Sequence, residues 1–170
     1  MNSCTFFPTI LYTFLFILSF TSCGEIPKTD NDVIITNGLI YVQGQPNPYT
    51  GLVKDTVNGK IIEYNVLEGK KDGKFKTFYL NGNPEMIGQL KNNLNHGKWI
   101  YYFNNGNIES EGFFENDLAH GYWKWYYENG KLKEEGNYVK GKREGRWVLF
   151  DVEGKIKETK LFEQNQLNKK

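Results

Sequence analysis

A block of glycine followed closely by an aromatic residue recurs along this chain at a fixed interval, and this interval constrains the fold more than any other feature. The block glycines are Gly73, Gly97, Gly121 and Gly145, each 24 residues after the one before. A second column, Gly82, Gly106, Gly130 and Gly154, keeps the same interval, and a third, Gly88, Gly112 and Gly136, keeps it until Lys160. Self-similarity at a fixed period of this length is typical of repeat arrays.

One repeat reads as two β-strands and a turn. The segment 98–103 is rich in aromatic and β-branched residues, which favour strands. Asn105 and Gly106 supply the positive φ angles that a tight turn needs, and the segment 108–115 reads as the returning strand. The residues 116–120 then link one unit to the next. The sequence therefore predicts an all-β fold, an elongated antiparallel β-hairpin repeat array with a 24-residue period and a single-sheet meander.

Aromatic columns run through the predicted strands. Trp99 and Tyr102 belong to two such columns, and their offset of three residues places them on opposite faces of an ideal strand. Two arrangements satisfy this offset: a single sheet with both faces partly aromatic, or a bulge between the columns. Both remain open at this point.

The first residues differ in composition from the rest. Positions 4–20 carry no charge and are followed by small residues and Cys23, which is typical of a secretory signal. The segment resembles a bacterial lipoprotein signal, in which Cys23 becomes the lipid-attachment residue; a plain secretory signal or a signal anchor are the alternatives. Cleavage before Cys23 removes Cys4, the other cysteine of the chain, and acylation would explain the remaining unpaired thiol.

Three regions follow from these patterns. Residues 1–22 form the predicted signal peptide, and residues 23–48 form a tether and a short N-terminal β-hairpin with Asn37-Gly38 at its turn. Residues 49–170 form the repeat array, with an atypical first unit and four regular units from about residue 73. The first unit is atypical because Gly51 and Gly59 are 8 residues apart, whereas Gly73 and Gly82 are 9 apart.

The glycine and aromatic blocks at 97–106 and 121–130 look like the MORN-repeat variant, and the resemblance covers about Tyr49 to Phe162. It implies an extended β-hairpin array. The variant is often labelled as the antitoxin component of a toxin–antitoxin system, and MORN repeats elsewhere are linked to membrane and protein association. The resemblance implies no catalytic residues and no cofactor.

Aromatic residues are the candidate partner-binding positions, because exposed Trp and Tyr favour interfaces. The candidates are Trp99, Tyr101, Trp123, Trp125 and Trp147. The alternative is that these rings form the core of a thin array. His96 and His120 occupy the repeat position that Asp72 and Glu144 fill in the flanking units, so a polar turn position is favoured over a metal site. We expect no catalytic residues and no metal.

Composition narrows the function. A net charge of +1 argues against capture of nucleic acid, which requires a basic face. We expect a non-catalytic lipoprotein of the bacterial cell envelope, attached to the membrane, most simply the outer membrane, through its lipid anchor. Its β-repeat surface would associate with an envelope protein partner. The alternatives are an antitoxin component, an envelope glycan-binding module and, for location, a secreted protein.

Overall fold

The computed structural model describes residues 28–29 and 32–167, and this part of the chain forms thirteen β-strands and no α-helix. The strands are β1 Val33–Thr36, β2 Leu39–Val42, β3 Gly51–Val57, β4 Lys60–Leu67, β5 Lys70–Phe78, β6 Pro84–Lys91, β7 Leu94–Tyr102, β8 Ile108–Glu115, β9 Leu118–Tyr126, β10 Leu132–Val139, β11 Lys142–Phe150, β12 Ile156–Glu163 and β13 Gln166–Leu167. No helix in the described residues is long and apolar enough to cross a membrane. The predicted signal peptide and Cys23 lie outside this part.

Strands β3 to β13 form one antiparallel sheet in which every strand pairs with its neighbours in the chain. The predicted all-β meander is therefore confirmed. At about 4.8 Å between neighbouring strands, eleven strands make a ribbon about 50 Å long. Strands β1 and β2 form a separate hairpin around Asn37-Gly38.

Two kinds of turn alternate along the sheet. Tight two-residue turns with two positive φ angles follow the four regular units, at residues 92–93, 116–117, 140–141 and 164–165, and the last of them leads into β13. Five-residue loops, which contain the glycines of the second column, join the two strands within each regular unit. The first unit instead uses Asn58-Gly59 as a two-residue turn between β3 and β4, which explains its shorter glycine spacing.

The block glycines lie inside strands rather than at turns. Strands β7 and β9 begin at Leu94 and Leu118, three residues before their glycines, so the linking segment expected at 116–120 is shorter than predicted. Gly97 and Gly121 have φ angles of +70° and +68°, and the register with the preceding strand shifts at each of them. Each glycine thus supports a β-bulge. The bulge requires a left-handed backbone conformation, which is unfavourable for a residue with a side chain.

The N-terminal hairpin packs on the array, so the predicted boundary at 48/49 does not separate two independent parts. Ile40 donates its backbone N–H to the Gly69 carbonyl and accepts one from Tyr49. Its side chain is buried in a cluster with Tyr49, Val53, Tyr64 and Val66. The hairpin therefore caps the first strands, and the residues of the predicted tether before Lys28 lie outside the described part of the chain.

Candidate interaction surface

One face of the sheet carries a continuous row of aromatic rings, which we call the aromatic ladder. Its members, in spatial order, are Phe75, Trp99, Phe114, Trp123, Tyr138, Trp147 and Phe162. Neighbouring ring centres are 5.1 to 6.1 Å apart, and five of the six contacts are edge-to-face. Such contacts add about 0.5–1.5 kcal/mol per pair beyond burial of area. The ladder links all regular units.

The tryptophans of the ladder lie flat over glycines on the preceding strand. A Cβ atom added to Gly112 would lie 2.1 Å from Cδ2 of Trp123, and Gly88 and Gly136 meet Trp99 and Trp147 in the same way. The third glycine column therefore makes room for indole rings. The indole Nε1–H of Trp123 also donates to the Phe113 carbonyl at 3.1 Å, and the other two tryptophans make the equivalent bond.

This packing corrects the expectation for three candidate residues. Trp99, Trp123 and Trp147 are only 4%, 5% and 0% exposed, so they form the core of the thin sheet rather than a partner surface. Tyr101 and Trp125, one position further along the same strand face, remain half-buried. Trp125 stacks on Trp123 with ring centres 5.6 Å apart. Of the five candidates, these two keep accessible ring surface.

The opposite face of the sheet carries the second aromatic column and a polar network. Tyr126 lies there, since its hydroxyl donates to Glu111, the residue paired with Lys124 on β9. Trp125, between them in sequence, points to the ladder. Of the two arrangements left open by the sequence, a sheet with aromatic residues on both faces is therefore the one formed. Bulges are also present, at the block glycines and in the returning strands.

On this opposite face, an ion pair and a hydrogen bond at Glu111 connect the second regular unit to the third. Lys98 Nζ lies 2.9 Å from Glu111, and this contact, with the Tyr126 hydroxyl, holds the pKa of Glu111 below its usual value despite partial burial. Burial, together with the bond to the carboxylate, raises the pKa of Tyr126 to about 12. Nearby, Phe113 and Tyr122 are about half exposed, at 49% and 50%. The face thus combines fixed charge with accessible apolar rings.

A depression opens on the ladder face of the third regular unit, with a volume of about 440 Å³. Its walls are Phe114, Trp123, Trp125 and Tyr138, and Asp117 lies at its rim. It is open to solvent and combines aromatic surface with one carboxylate. The sequence analysis named Trp123 and Trp125 but did not predict the depression. The depression forms because Ala119 has a small side chain and Gly141 has none.

The histidine position, predicted to be a polar turn position, lies inside a strand and beside a tight turn. Asp72 accepts the backbone N–H of Asn92, and Glu144 accepts that of Gln164, so both carboxylates fix the tight turn at the end of their own unit. His96 and His120 occupy the same place in the two middle units. Among residues 28–29 and 32–167, no group of three or more His, Cys, Asp or Glu side chains is placed to hold a metal ion.

The sequence pattern and the hairpin geometry now agree on one repeat family. The MORN repeat variant matches three consecutive segments, residues 71–92, 95–116 and 119–140. The chain carries MORN-variant repeats. Each matched segment holds most of one hairpin, and the fourth regular unit, from Arg143, has the same positive-φ glycine and tight turn beyond the matched segments. None of the curated proteins compared with the chain matches it.

Proposed function

We propose that the protein is a non-catalytic lipoprotein of the bacterial cell envelope whose MORN array binds a protein partner. MORN repeats are suited to protein or membrane association, and the surface of this array supports the choice of a protein partner. The observation that carries it is accessible aromatic surface beside a core that is already filled. Trp125, Phe113 and Tyr122 remain partly or half exposed although the ladder tryptophans are buried. Exposed aromatic rings at this density favour an interface.

The position of the first described residues supports the anchor. Four residues separate Cys23 from Lys28. Lys28 is held at the edge of the array, because it donates its N–H to the Leu52 carbonyl and accepts one from Lys54. Five residue steps span at most about 18 Å. A lipid on Cys23 would keep the first strands close to the membrane and leave the later MORN units further out, within reach of a partner.

Metabolic labelling with a fatty-acid analogue tests the anchor. Cells that express wild type or Cys23→Ser are labelled, and their membranes are then separated by fractionation. We expect label in the membrane fraction for wild type and release of unlabelled protein for the variant. Retention of the variant in membranes would contradict the anchor. If wild type is found uncleaved and unlabelled in the cytosol, the result would support the alternative function, an antitoxin component.

Partner binding needs a separate test. Chemical crosslinking in intact cells should yield one defined adduct that disappears when Trp125, on the ladder face, is changed to Ser. Leu80→Ser, at an 84% exposed residue in a loop, is the matched control for loss of surface apolarity. If the purified protein is instead retained by envelope polysaccharide, and Trp125→Ala abolishes retention, a glycan-binding module replaces the protein-binding proposal.

A further inference from the structure

One repeat position places a cation against the aromatic face in the last MORN unit. Arg143 stacks its guanidinium Cζ 4.1 Å from the ring centre of Trp147 and 5.4 Å from that of Phe162. Its Nη1 also pairs with Glu134 at 2.9 Å. A planar guanidinium over an aromatic ring is a favourable cation–π arrangement. The array therefore contains a filled aromatic cation site of its own.

The equivalent positions in the other units are Lys71, Asn95 and Ala119, each 24 residues from the next. Lys71, in the first regular unit, also covers an aromatic residue, with Nζ 4.5 Å from the ring centre of Tyr64. Both outer units thus use a side chain from this position to cover a ring. The third unit has only the methyl group of Ala119 there.

The rings of the third unit are nevertheless present. Trp123 and Tyr138 correspond to Trp147 and Phe162, and their centres are 6.1 Å apart compared with 6.0 Å in the last unit. Trp125 adds a further ring, with its centre 6.1 Å from that of Tyr138. The depression of about 440 Å³ lies at this place. The third unit therefore repeats the pair of rings without the arginine, with Ser110 at the position of Glu134 and Trp125 at the position of Leu149.

A second missing side chain enlarges the depression. The second residue of the tight turn is Asn93, Asp117 and Asn165 in the other regular units, but Gly141 in the third. Gly141 lines the depression and contributes no side chain to it. Two small residues therefore coincide in one unit, where Trp125 and Tyr138 keep partly accessible rings beside the buried Trp123.

The rim of the depression carries a negative charge. Asp117 is the acidic member of a turn position that is otherwise Asn or Gly in the regular units. One carboxylate oxygen accepts the backbone N–H of Asn95 at 2.7 Å, as the amide oxygens of Asn93 and Asn165 do for Lys71 and Arg143. Because an Asn amide oxygen makes the same bond in the other units, the turn does not require the negative charge of Asp117. This charge complements a cation seated on the neighbouring rings.

We infer that the third-unit depression receives an arginine side chain of the protein partner, which takes the place that Arg143 fills in the last unit. The inference rests on the proposed function, since it specifies how the array recognises a protein. The guanidinium would stack on Trp125 and Tyr138, the two rings of the depression that keep accessible surface above the buried Trp123, and Asp117 would offset its charge. A neutral apolar side chain would gain the ring contacts but not the charge complement.

The test is a titration of the purified full chain with a capped Gly-Arg-Gly peptide, followed through the indole N–H resonances of Trp123 and Trp125. The neutral analogue with citrulline in place of arginine is the matched probe. We expect concentration-dependent shifts of both resonances with the arginine peptide and shifts at least fivefold smaller with citrulline. Equal shifts with the two peptides, or none with either, would overturn the inference.

Variants taken from other units of the same chain refine the test. Ala119→Arg copies Arg143 and should fill the site from within, so the peptide shifts should be lost. Gly141→Asn copies Asn165, tolerates the φ of +78° and should weaken binding by partial filling without adding charge. Asp117→Asn keeps the turn bond and should weaken peptide binding about threefold. Undiminished shifts in both Ala119→Arg and Gly141→Asn would contradict the site.

The outcomes separate this site from the proposed function. If the crosslinked adduct forms equally in wild type and Ala119→Arg, and the peptide produces no shifts, the array binds a partner elsewhere and the inference fails. If the arginine peptide binds in the predicted way but no adduct forms in cells, the cation site stands and the partner-binding proposal fails.

Discussion

A glycine and a tryptophan on neighbouring strands act as one packing unit, which explains where the third glycine column begins and ends. Gly88, Gly112 and Gly136 are followed on the next strand by a tryptophan whose ring covers them. Tyr64 occupies the equivalent position before them and faces Phe75, a smaller ring. Lys160 occupies it after them, and β13, the next strand described, carries no tryptophan. Glycine is required only beneath an indole.

Substituting Gly112→Ala should therefore destabilise the array by about 1–3 kcal/mol, because the added methyl group would overlap the Trp123 ring. Urea unfolding monitored by circular dichroism measures the change. The double variant Gly112→Ala, Trp123→Phe should lose less than the sum of the two single changes, since the smaller ring relieves the overlap.

The matched control is Gly121→Ala, on the next strand of the same sheet. Its φ is +68°, but nothing lies within 4 Å of an added Cβ, so only backbone strain of about 1–2 kcal/mol is expected. A smaller ring at Trp123 should not rescue this variant. Equal rescue of both alanine variants would argue against the packing unit.

The five-residue loops form a second set of connections between units, at one end of the strands. Tyr79 donates its hydroxyl to the Tyr102 carbonyl at 2.7 Å, and Tyr127 donates to the Phe150 carbonyl at 2.9 Å. Both bonds reach 23 residues ahead, into the next unit. Phe103 occupies the same repeat position in the intervening unit and has no hydroxyl. The chain therefore already contains both versions of this connection.

Phe103→Tyr should stabilise the array by about 1 kcal/mol, because its new hydroxyl would reach the Tyr126 carbonyl. Tyr127→Phe should cost about the same, by removal of the existing bond. Thermal unfolding of the two variants beside wild type measures both effects. A lower melting temperature for Phe103→Tyr would show that the loops are not equivalent.

Much of this element-level architecture could be predicted from sequence, because period and turn chemistry are local. The 24-residue interval and the Asn-Gly turns indicated a hairpin meander, which is confirmed. The strand starts were wrong because Gly97 and Gly121 have the positive φ that usually marks a turn, whereas here it supports a bulge. The sequence left open whether Trp123 is a partner-binding residue or part of the core, and the structure shows that it is buried. This burial depends on Gly112, a residue 11 positions away whose role becomes visible only once the strands are paired.

At the scale of the whole molecule, stability is built from contacts between neighbours in a line. Each strand of the main sheet pairs with its neighbours in sequence, so no long-range contact closes the array. The N-terminal end has a different core from the aromatic ladder. There, an apolar cluster forms from Ile40 of the N-terminal hairpin, Tyr49 and the strand residues Val53, Tyr64 and Val66. The cap therefore protects the first strands and has no direct influence on the last.

Ile40→Ala tests this one-dimensional behaviour. Loss of the buried side chain, which is 4% exposed, should cost about 2–4 kcal/mol. The effect should be local: amide hydrogen exchange should accelerate in β3 to β5 and change little in β9 to β11. A uniform acceleration across all strands would instead show a single cooperative unit.

The candidate site was predictable only in part, and the reason is physical. Trp and Tyr mark an interface by type, but exposure depends on what neighbouring units place above each ring. The accessible rings of the third unit result from Ala119 and Gly141, two residues that carry no chemical signal of their own. Comparison of each repeat position across all units would have found them, because Lys71 and Arg143 at the same position are large and charged.

The glycine beneath each indole belongs to one unit and the indole to the next, and this division determines how the protein can change in length. Any interior segment of 24 residues carries one glycine of the third column and one tryptophan of the ladder, so its duplication creates a new junction of the kind already present. Extension after Lys160 has no such ready junction, because its side chain occupies the place an incoming indole requires. The array can therefore lengthen by copying its middle, while both ends retain their own sequences.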